Sequence, residues 1–249
     1  MYVQWNSGRL RSHIAGTKIN MLKIKNLSAV GNENYTLTNI SLTVPKGETY
    51  GIIGKSHSGK TLLADSISRF PDAEITEGSI SWNSKVLSKM TPSGIYHAGV
   101  FVIPQHSQDI NLPVGRILEK FFPKIDSATL QGKFFDYCDQ LELPRGIYQE
   151  LQSPSYISSG QVKLLELIYM KIADPQLIVL DEIDFGMSDQ EVEISTEFIK
   201  EFLSKEKTGL IITNNKAILD SLSPSSVHMM KDGELFPATA HDLMTVFEE

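Results

Sequence analysis

The run Gly54-Lys55-Ser56-His57-Ser58-Gly59-Lys60-Thr61 constrains this chain more than any other stretch of it. It fits the pattern G-x-x-x-x-G-K-[ST] at every position. It stands between a short apolar run ending at Ile52-Ile53 and a segment, TLLADSISRF, with apolar residues at helical spacing. A strand, a glycine-bracketed loop and a helix in that order make a phosphate cradle. The glycines let the backbone wrap closely, so that consecutive N–H groups point at phosphate oxygens. The helix beginning near Gly59 adds its positive dipole end. Lys60 is placed to reach the outer phosphates of a nucleotide, and Thr61 to offer its hydroxyl to Mg²⁺. Residues 54–62, through Leu62, are therefore the expected nucleotide-binding segment. A chance match is the bland reading, and the strand–loop–helix context argues against it. His57 reads as a loop spacer facing solvent or phosphate rather than as a metal ligand.

A second site follows about 120 residues later, where the apolar run Leu177-Ile178-Val179-Leu180 ends in Asp181-Glu182. Two acids at a strand end also suit an ordinary strand-to-helix junction, because negative charge is favoured at a helix N-terminus. In a chain that already carries a phosphate loop, Asp181 is expected to hold Mg²⁺ through its waters. Glu182 is expected to polarise the attacking water as a general base.

The order of elements predicts an α/β fold. Residues 21–30 and 37–44 alternate apolar and polar residues as half-buried antiparallel strands do, and they feed the buried strand before the loop. A further strand or hairpin is expected at 78–87, and buried strands at GVFVIP, 177–180, 209–213 and 227–230. Between about 107 and 168 the pattern turns helical, punctuated by Pro144 and Pro154. The expectation is a mixed sheet core with antiparallel N-terminal strands and a helical insert, within one domain spanning 21–249. Residues 1–20 carry Arg9, Arg11 and Lys18 and no acid; they read as an N-terminal extension, either a targeting segment or a non-native start.

Composition narrows the partners. The 249-residue chain has a net charge of −7, which argues against a nucleic-acid surface. Its single cysteine, Cys138, excludes an intrachain disulfide and a Cys₄ metal site, and reads as a small buried apolar residue. No stretch approaches the ~18 apolar residues of a membrane span, so a peripheral protein of the cytoplasm is expected, or of an organellar matrix if residues 1–20 are a targeting segment.

Ile157-Ser158-Ser159-Gly160-Gln161, followed by a helix running into Asp181-Glu182, resembles the L-S-G-G-Q signature of ATP-binding cassettes. Gln105, after GVFVIP, sits where that family keeps its glutamine loop. A narrower likeness, to the SufC branch that serves iron–sulfur cluster assembly, is carried by Asp181-Glu182-Ile183-Asp184-Phe185-Gly186-Met187 and by residues 70–92 and 218–236. No aromatic stands near Ala29-Val30 to stack on adenine, which is also SufC-like. The resemblance implies Mg-ATP at a composite site of a transient, ATP-dependent homodimer seated on a SufB/SufD-like scaffold. Ser158 and Gly160 would contact the γ-phosphate of the opposite copy, and Gln105 would join Thr61 and Asp181 at the metal.

Three positions depart from the pattern: Ser159 replaces the signature's first glycine, Ser188 the D-loop aspartate, and Asn214 the switch histidine. Lys60, Thr61, Gln105, Asp181 and Glu182 are all retained. Asn214 can hydrogen-bond but cannot carry an imidazole's charge. The expectation is ATP hydrolysis that is slow or partner-dependent, with Glu182, Lys60, Gln105 and Asn214 as its machinery. The alternatives are the ATPase subunit of a membrane transporter and a regulatory module that binds nucleotide without hydrolysing it.

Overall fold

The computed structural model describes residues 21–32, 35–108, 110–153 and 156–247. The N-terminal extension expected at 1–20, residues 33–34 and Pro154 lie outside them. Strands β1 (Met21–Val30) and β2 (Thr36–Pro45) pair antiparallel, and β3 (Thr49–Ile53) leads through the phosphate loop into helix α1 (Lys60–Ser68). Strands β4 (Glu74–Trp82) and β5 (Lys85–Val86) follow, then α2 (Pro92–His97) and β6 (Val100–Ile103).

The middle of the chain holds β7 (Ile110–Pro113), α3 (Val114–Phe121), α4 (Ser127–Gln140), β8 (Leu151–Gln152) and α5 (Ser159–Ala173). It then alternates: β9 (Leu177–Asp181), α6 (Asp189–Leu203), β10 (Thr208–Ile212), α7 (Lys216–Leu222), the hairpin β11 (Ser226–Lys231) and β12 (Glu234–Pro237), and α8 (Ala240–Phe247). No helix among the described residues is long and apolar enough to cross a membrane.

The central sheet runs β12-β11-β3-β10-β9-β6, parallel except for β12. β9 and β10, at its centre, are buried on both faces, which is why they read as continuous apolar runs. Ile178, Leu180 and Ile211 pack on one side against α3–α7. Leu177, Val179, Leu210 and Ile212 pack on the other, against α1 and the second sheet. The antiparallel strands do not join the central sheet; they form their own, ordered β2-β1-β4-β5. Trp82, Leu22, Ile24, Leu37 and Ile40 fill the layer between the two sheets. Cys138 is buried in the other core, where burial pushes its thiol up to about 12, in keeping with an apolar role.

The segment expected to be wholly helical also contains the short antiparallel ribbon β7–β8. Strands of four and two residues are too brief to show an alternation. The ribbon closes the segment on itself, with Pro113 at the N-cap of α3 and the Val114 amide donating to the Glu150 carbonyl.

Because β3, β6, β9 and β10 are parallel, their carboxyl ends open on one edge. The phosphate loop, Gln105, Asp181-Glu182 and Asn214 therefore leave the sheet side by side, the usual place for a ligand in such sheets.

Candidate functional site: a phosphate-loop cleft

Backbone conformation sets the cradle. Gly54 has φ +156°, and a Cβ there would run into the Met230 carbonyl of β11, so the loop passes closer to β11 than any other residue allows. Lys60, 4% exposed, curls back over the loop. Its Nζ donates to the Gly54 carbonyl at 2.6 Å and the Lys55 carbonyl at 3.0 Å, and pairs with Glu182 at 3.3 Å. Entering phosphate oxygens would take over these acceptor positions without reorienting the amine far. Leu62 is largely buried in the core and also lines the cleft. Ser56, His57, Gly59 and Thr61 line the same cleft, which has a volume of about 490 Å³. Lys55 and Ser58 line a different hollow, beside β11 and α8.

Glu182 is the hub. Its φ of +42° lies in the left-handed region, uncommon for a residue with a side chain, and its amide is held by the Ile212 carbonyl at 2.9 Å. That conformation ends the strand and directs the carboxylate into the cleft. There it accepts from Gln105 Nε2 at 2.6 Å and from Asn214 Nδ2 at 3.5 Å, beside the Lys60 ammonium. Gln105 is itself anchored from beneath. Lys163 of α5, 2% exposed, donates to the neighbouring Pro104 carbonyl and pairs with Glu166 at 3.3 Å.

Asn214 does more than fill a position. Its Oδ1 accepts from the Gly54 amide at 3.1 Å while its Nδ2 faces Glu182, so one amide group bridges the phosphate loop and the carboxylate. Asn214→Ala would leave the half-buried Gly54 N–H unpaired, a loss of about 1–3 kcal/mol. A fall in melting temperature of about 2 °C or more is expected, together with slower phosphate release as Glu182 loses one of its donors. Thermal melting and a release assay on the same preparation check both; unchanged values would show that Lys60 and Gln105 suffice.

Asp181 is fully buried, and neither carboxylate oxygen has a partner at hydrogen-bonding geometry. Burial pushes its carboxyl from its ordinary 3.8 up to about 7; the Thr61 hydroxyl works the other way, and the Glu182 charge adds to the rise. An orphaned, oxygen-only group beside a threonine hydroxyl fits Mg²⁺, which is commonly held by one or two protein oxygens plus substrate phosphates. Among the described residues no cluster of three or more His, Cys, Asp or Glu could hold a metal alone.

The sign of the pH effect follows from the raised value. Between about pH 4 and pH 7 the folded, metal-free protein binds more protons than the unfolded chain, so its stability falls as pH rises through that window. Mg²⁺ needs the charged form. Its apparent affinity in the presence of ATP is expected to drop toward about tenfold per pH unit below pH 7. Titrations of Mg²⁺ at pH 6 and pH 8 measure this, and a flat profile would show Asp181 already ionised.

The remaining expected residues lie elsewhere. Ser158 is the N-cap of α5, in a reciprocal capping box with Gln161, and Gly160 sits one residue inside the helix. A Cβ on Gly160 would meet the Glu191 carboxylate, and Glu191 in turn completes the capping box of Ser188 at the start of α6. Neither Ser158 nor Gly160 lines the phosphate-loop cleft of its own chain. Several lining residues carry no sequence signal: Gly31, Asn32 and Tyr35 at the β1–β2 hairpin, and Asp65 and Asp72 in and after α1. They are scattered singly through ordinary strand, turn and helix segments, and only the folded chain brings them together.

Residues 37–184 match the family model described as ABC transporter. A probable ATP-dependent transporter from Synechocystis sp. is 28% identical over 239 residues, which cover 92% of this chain and 93% of that one. An iron–sulfur cluster assembly protein, SufC, from Plasmodium berghei is 28% identical over 244 residues, 93% of this chain and 66% of that protein. Among solved structures, a dimeric ATP-binding cassette in a post-hydrolysis state, bound to ADP and phosphate, superimposes with a TM-score of 0.74 at 19% identity. The match covers 86% of this chain and 96% of that one. The fold is thus the mixed α/β fold of the cassettes.

Proposed function

The chain belongs to the ABC transporter family of ATP-binding cassettes, and from that premise we propose that it is a SufC-type ATPase subunit acting on an iron–sulfur assembly scaffold. The observation that carries the catalytic part is Glu182, held against Lys60, Gln105 and Asn214 at the mouth of the phosphate loop. The likeness to a SufC over 93% of the chain supports the branch. Residues 21–249 act as one ATPase unit, with 107–168 as its helical insert.

In this reading Lys60 releases its loop carbonyls and neutralises the β- and γ-phosphates. Thr61, Asp181 and the Gln105 amide oxygen would hold Mg²⁺, which would neutralise charge on the β- and γ-phosphate oxygens. Glu182 takes a proton from the attacking water as the oxygen bonds to the γ-phosphorus and the bond to the ADP oxygen breaks. Asn214 orients Glu182 but cannot accept the proton. Gln105 and Lys60 hold the resting carboxylate, so the isolated chain turns over slowly. Ser158 and Gly160 stand outside their own cleft, which suits a second copy of the chain closing on the first in the presence of ATP. A SufB/SufD-type scaffold would promote that closure and take up the resulting movement.

Phosphate release from the purified chain, alone and with SufB/SufD scaffold, tests the proposal. Release that is low alone and rises with scaffold is expected. Fast release from the chain alone would sink the partner dependence, and intact ATP binding with no release under either condition would make the chain a nucleotide sensor.

A further inference from the structure

The segments that leave β9 and β10 stay tied to each other beyond the sheet. The strands end in register, with Ile212 opposite Asp181. One step further, the Glu182 amide donates to the Ile212 carbonyl at 2.9 Å, and Asn214 Nδ2 faces Glu182 Oε1 at 3.5 Å. A third tie follows, in which Asn215 Nδ2 donates to Asp184 Oδ2 at 3.2 Å. Both of its ends are fixed. Asn215 is the N-cap of α7: its Oδ1 accepts from the Ala217 and Ile218 amides, and its own amide donates to the hydroxyl of buried Thr213 at 2.9 Å. Asp184 sits inside the turn that the Phe185 amide closes on the Glu182 carbonyl at 3.0 Å, and its own carbonyl accepts from the Met187 amide. The far side of this turn rests on the signature, since a Cβ added to Gly186, at φ +78°, would run into the Ser159 side chain.

These ties bear on Glu182 because its φ of +42° is a strained conformation for a residue with a side chain. Such a conformation persists only where the surroundings over-determine it. The bond to Ile212 fixes Glu182 from the strand side, and the 182–185 turn fixes it from the other. The Asp184–Asn215 bond fastens that turn to the β10–α7 connection, the same connection that supplies Asn214 to Glu182. A carboxylate acceptor makes this bond stronger than one between two neutral amides. Neither Asp184 nor Asn215 lines the phosphate-loop cleft, so neither is placed to touch the nucleotide.

We propose that Asp184 and Asn215 are positioning residues for Glu182: their hydrogen bond holds the 182–185 turn in place and so keeps the general base aimed at the attacking water. The assignment rests on the ATPase reading above and adds which residues outside the cleft set the geometry of its base. Thr213-Asn214-Asn215 then acts as one clamp, with Asn214 holding the carboxylate and Asn215 holding the backbone that carries it.

Single-turnover phosphate release and equilibrium ATP titration, both with Mg²⁺ and on the whole chain with and without SufB/SufD scaffold, test this. The variants are Asp184→Ala, Asp184→Asn, Asn215→Ser, Asn215→Asp and the exchange that combines Asp184→Asn with Asn215→Asp. Asn215→Ser keeps a capping oxygen for α7 and loses only the Nδ2 donor. Release is expected to fall about tenfold to 100-fold in Asn215→Ser and in Asp184→Ala, the scale on which a misplaced catalytic group loses rate, with ATP affinity unchanged. Asp184→Asn, which keeps an acceptor oxygen, should release faster than Asp184→Ala. Asn215→Asp sets two carboxylates against each other and should lose at least as much as Asn215→Ser. The exchange puts a donor opposite an acceptor again and should recover most of that loss. Release matching wild type in both Asn215→Ser and Asp184→Ala overturns the proposal. A loss shared equally by ATP affinity, or one that the exchange leaves unrescued, also overturns it, because the pair would then be supporting the fold at large. Wild type that binds ATP and releases no phosphate under either condition brings down the ATPase reading and this proposal with it.

Discussion

In Glu182→Gln, phosphate release is expected to fall by about 100-fold or more, the scale of a lost general base, while ATP binding holds or tightens. The amide keeps an acceptor oxygen for Gln105 but can no longer take a proton from water. It also removes the negative charge that holds Lys60 at 3.3 Å, leaving the ammonium freer to meet phosphate. Binding and chemistry thus move in opposite directions, which a merely destabilising change would not produce. Single-turnover release and equilibrium ATP titration on the same preparation separate the two. A release rate matching wild type would remove Glu182 from the chemistry.

The second large effect is expected in Lys60→Ala, where ATP affinity and turnover should both fall, turnover by about 100-fold to 1000-fold, as when a preorganised charge-stabilising donor is deleted. Lys60 is nearly buried, and three groups converge on it: the Gly54 and Lys55 carbonyls and Glu182. Without the ammonium they would present only negative potential to an incoming triphosphate. Lys60→Arg should not restore activity, because a planar guanidinium does not fit a site shaped around a compact ammonium. ATP affinity close to wild type in Lys60→Ala would contradict this account of the cleft.

What was legible in the sequence was what is local in it. Gly54–Thr61 and Asp181-Glu182 each lie at the end of one strand, so a short string carries both the chemistry and its setting. Gln105 was legible for the same reason. Asn214 was visible only as a departure from a pattern. That its amide spans from the Gly54 N–H to Glu182 depends on β3 and β10 being neighbours, which no local string states. The β7–β8 ribbon was too short to show a period. Tyr35, Asp65 and Asp72 carried no signal because only the folded chain brings them to one cavity. The alternation at 21–30 and 37–44 marks strands, but whether they join the central sheet or build a second one turns on packing, with Trp82 and Leu22 filling the layer between.

The position of β3 between β10 and β11 bears on how the protein is made. The strand that launches the phosphate loop is complete by Ile53, yet both its partners are drawn from residues after 207, and the Gly54 amide is capped by a residue 160 positions downstream. On a ribosome the loop emerges and then waits, with its strand unpaired, until residues 208–231 have followed; such long-range pairings form slowly and leave strand edges exposed meanwhile. A product ending after Leu203 would contain every phosphate, carboxylate and signature residue except Asn214 and still lack an assembled cradle. Assembly of the cradle thereby waits on residues 208–231, and a nascent or truncated copy that lacks them has no formed site with which to draw on ATP.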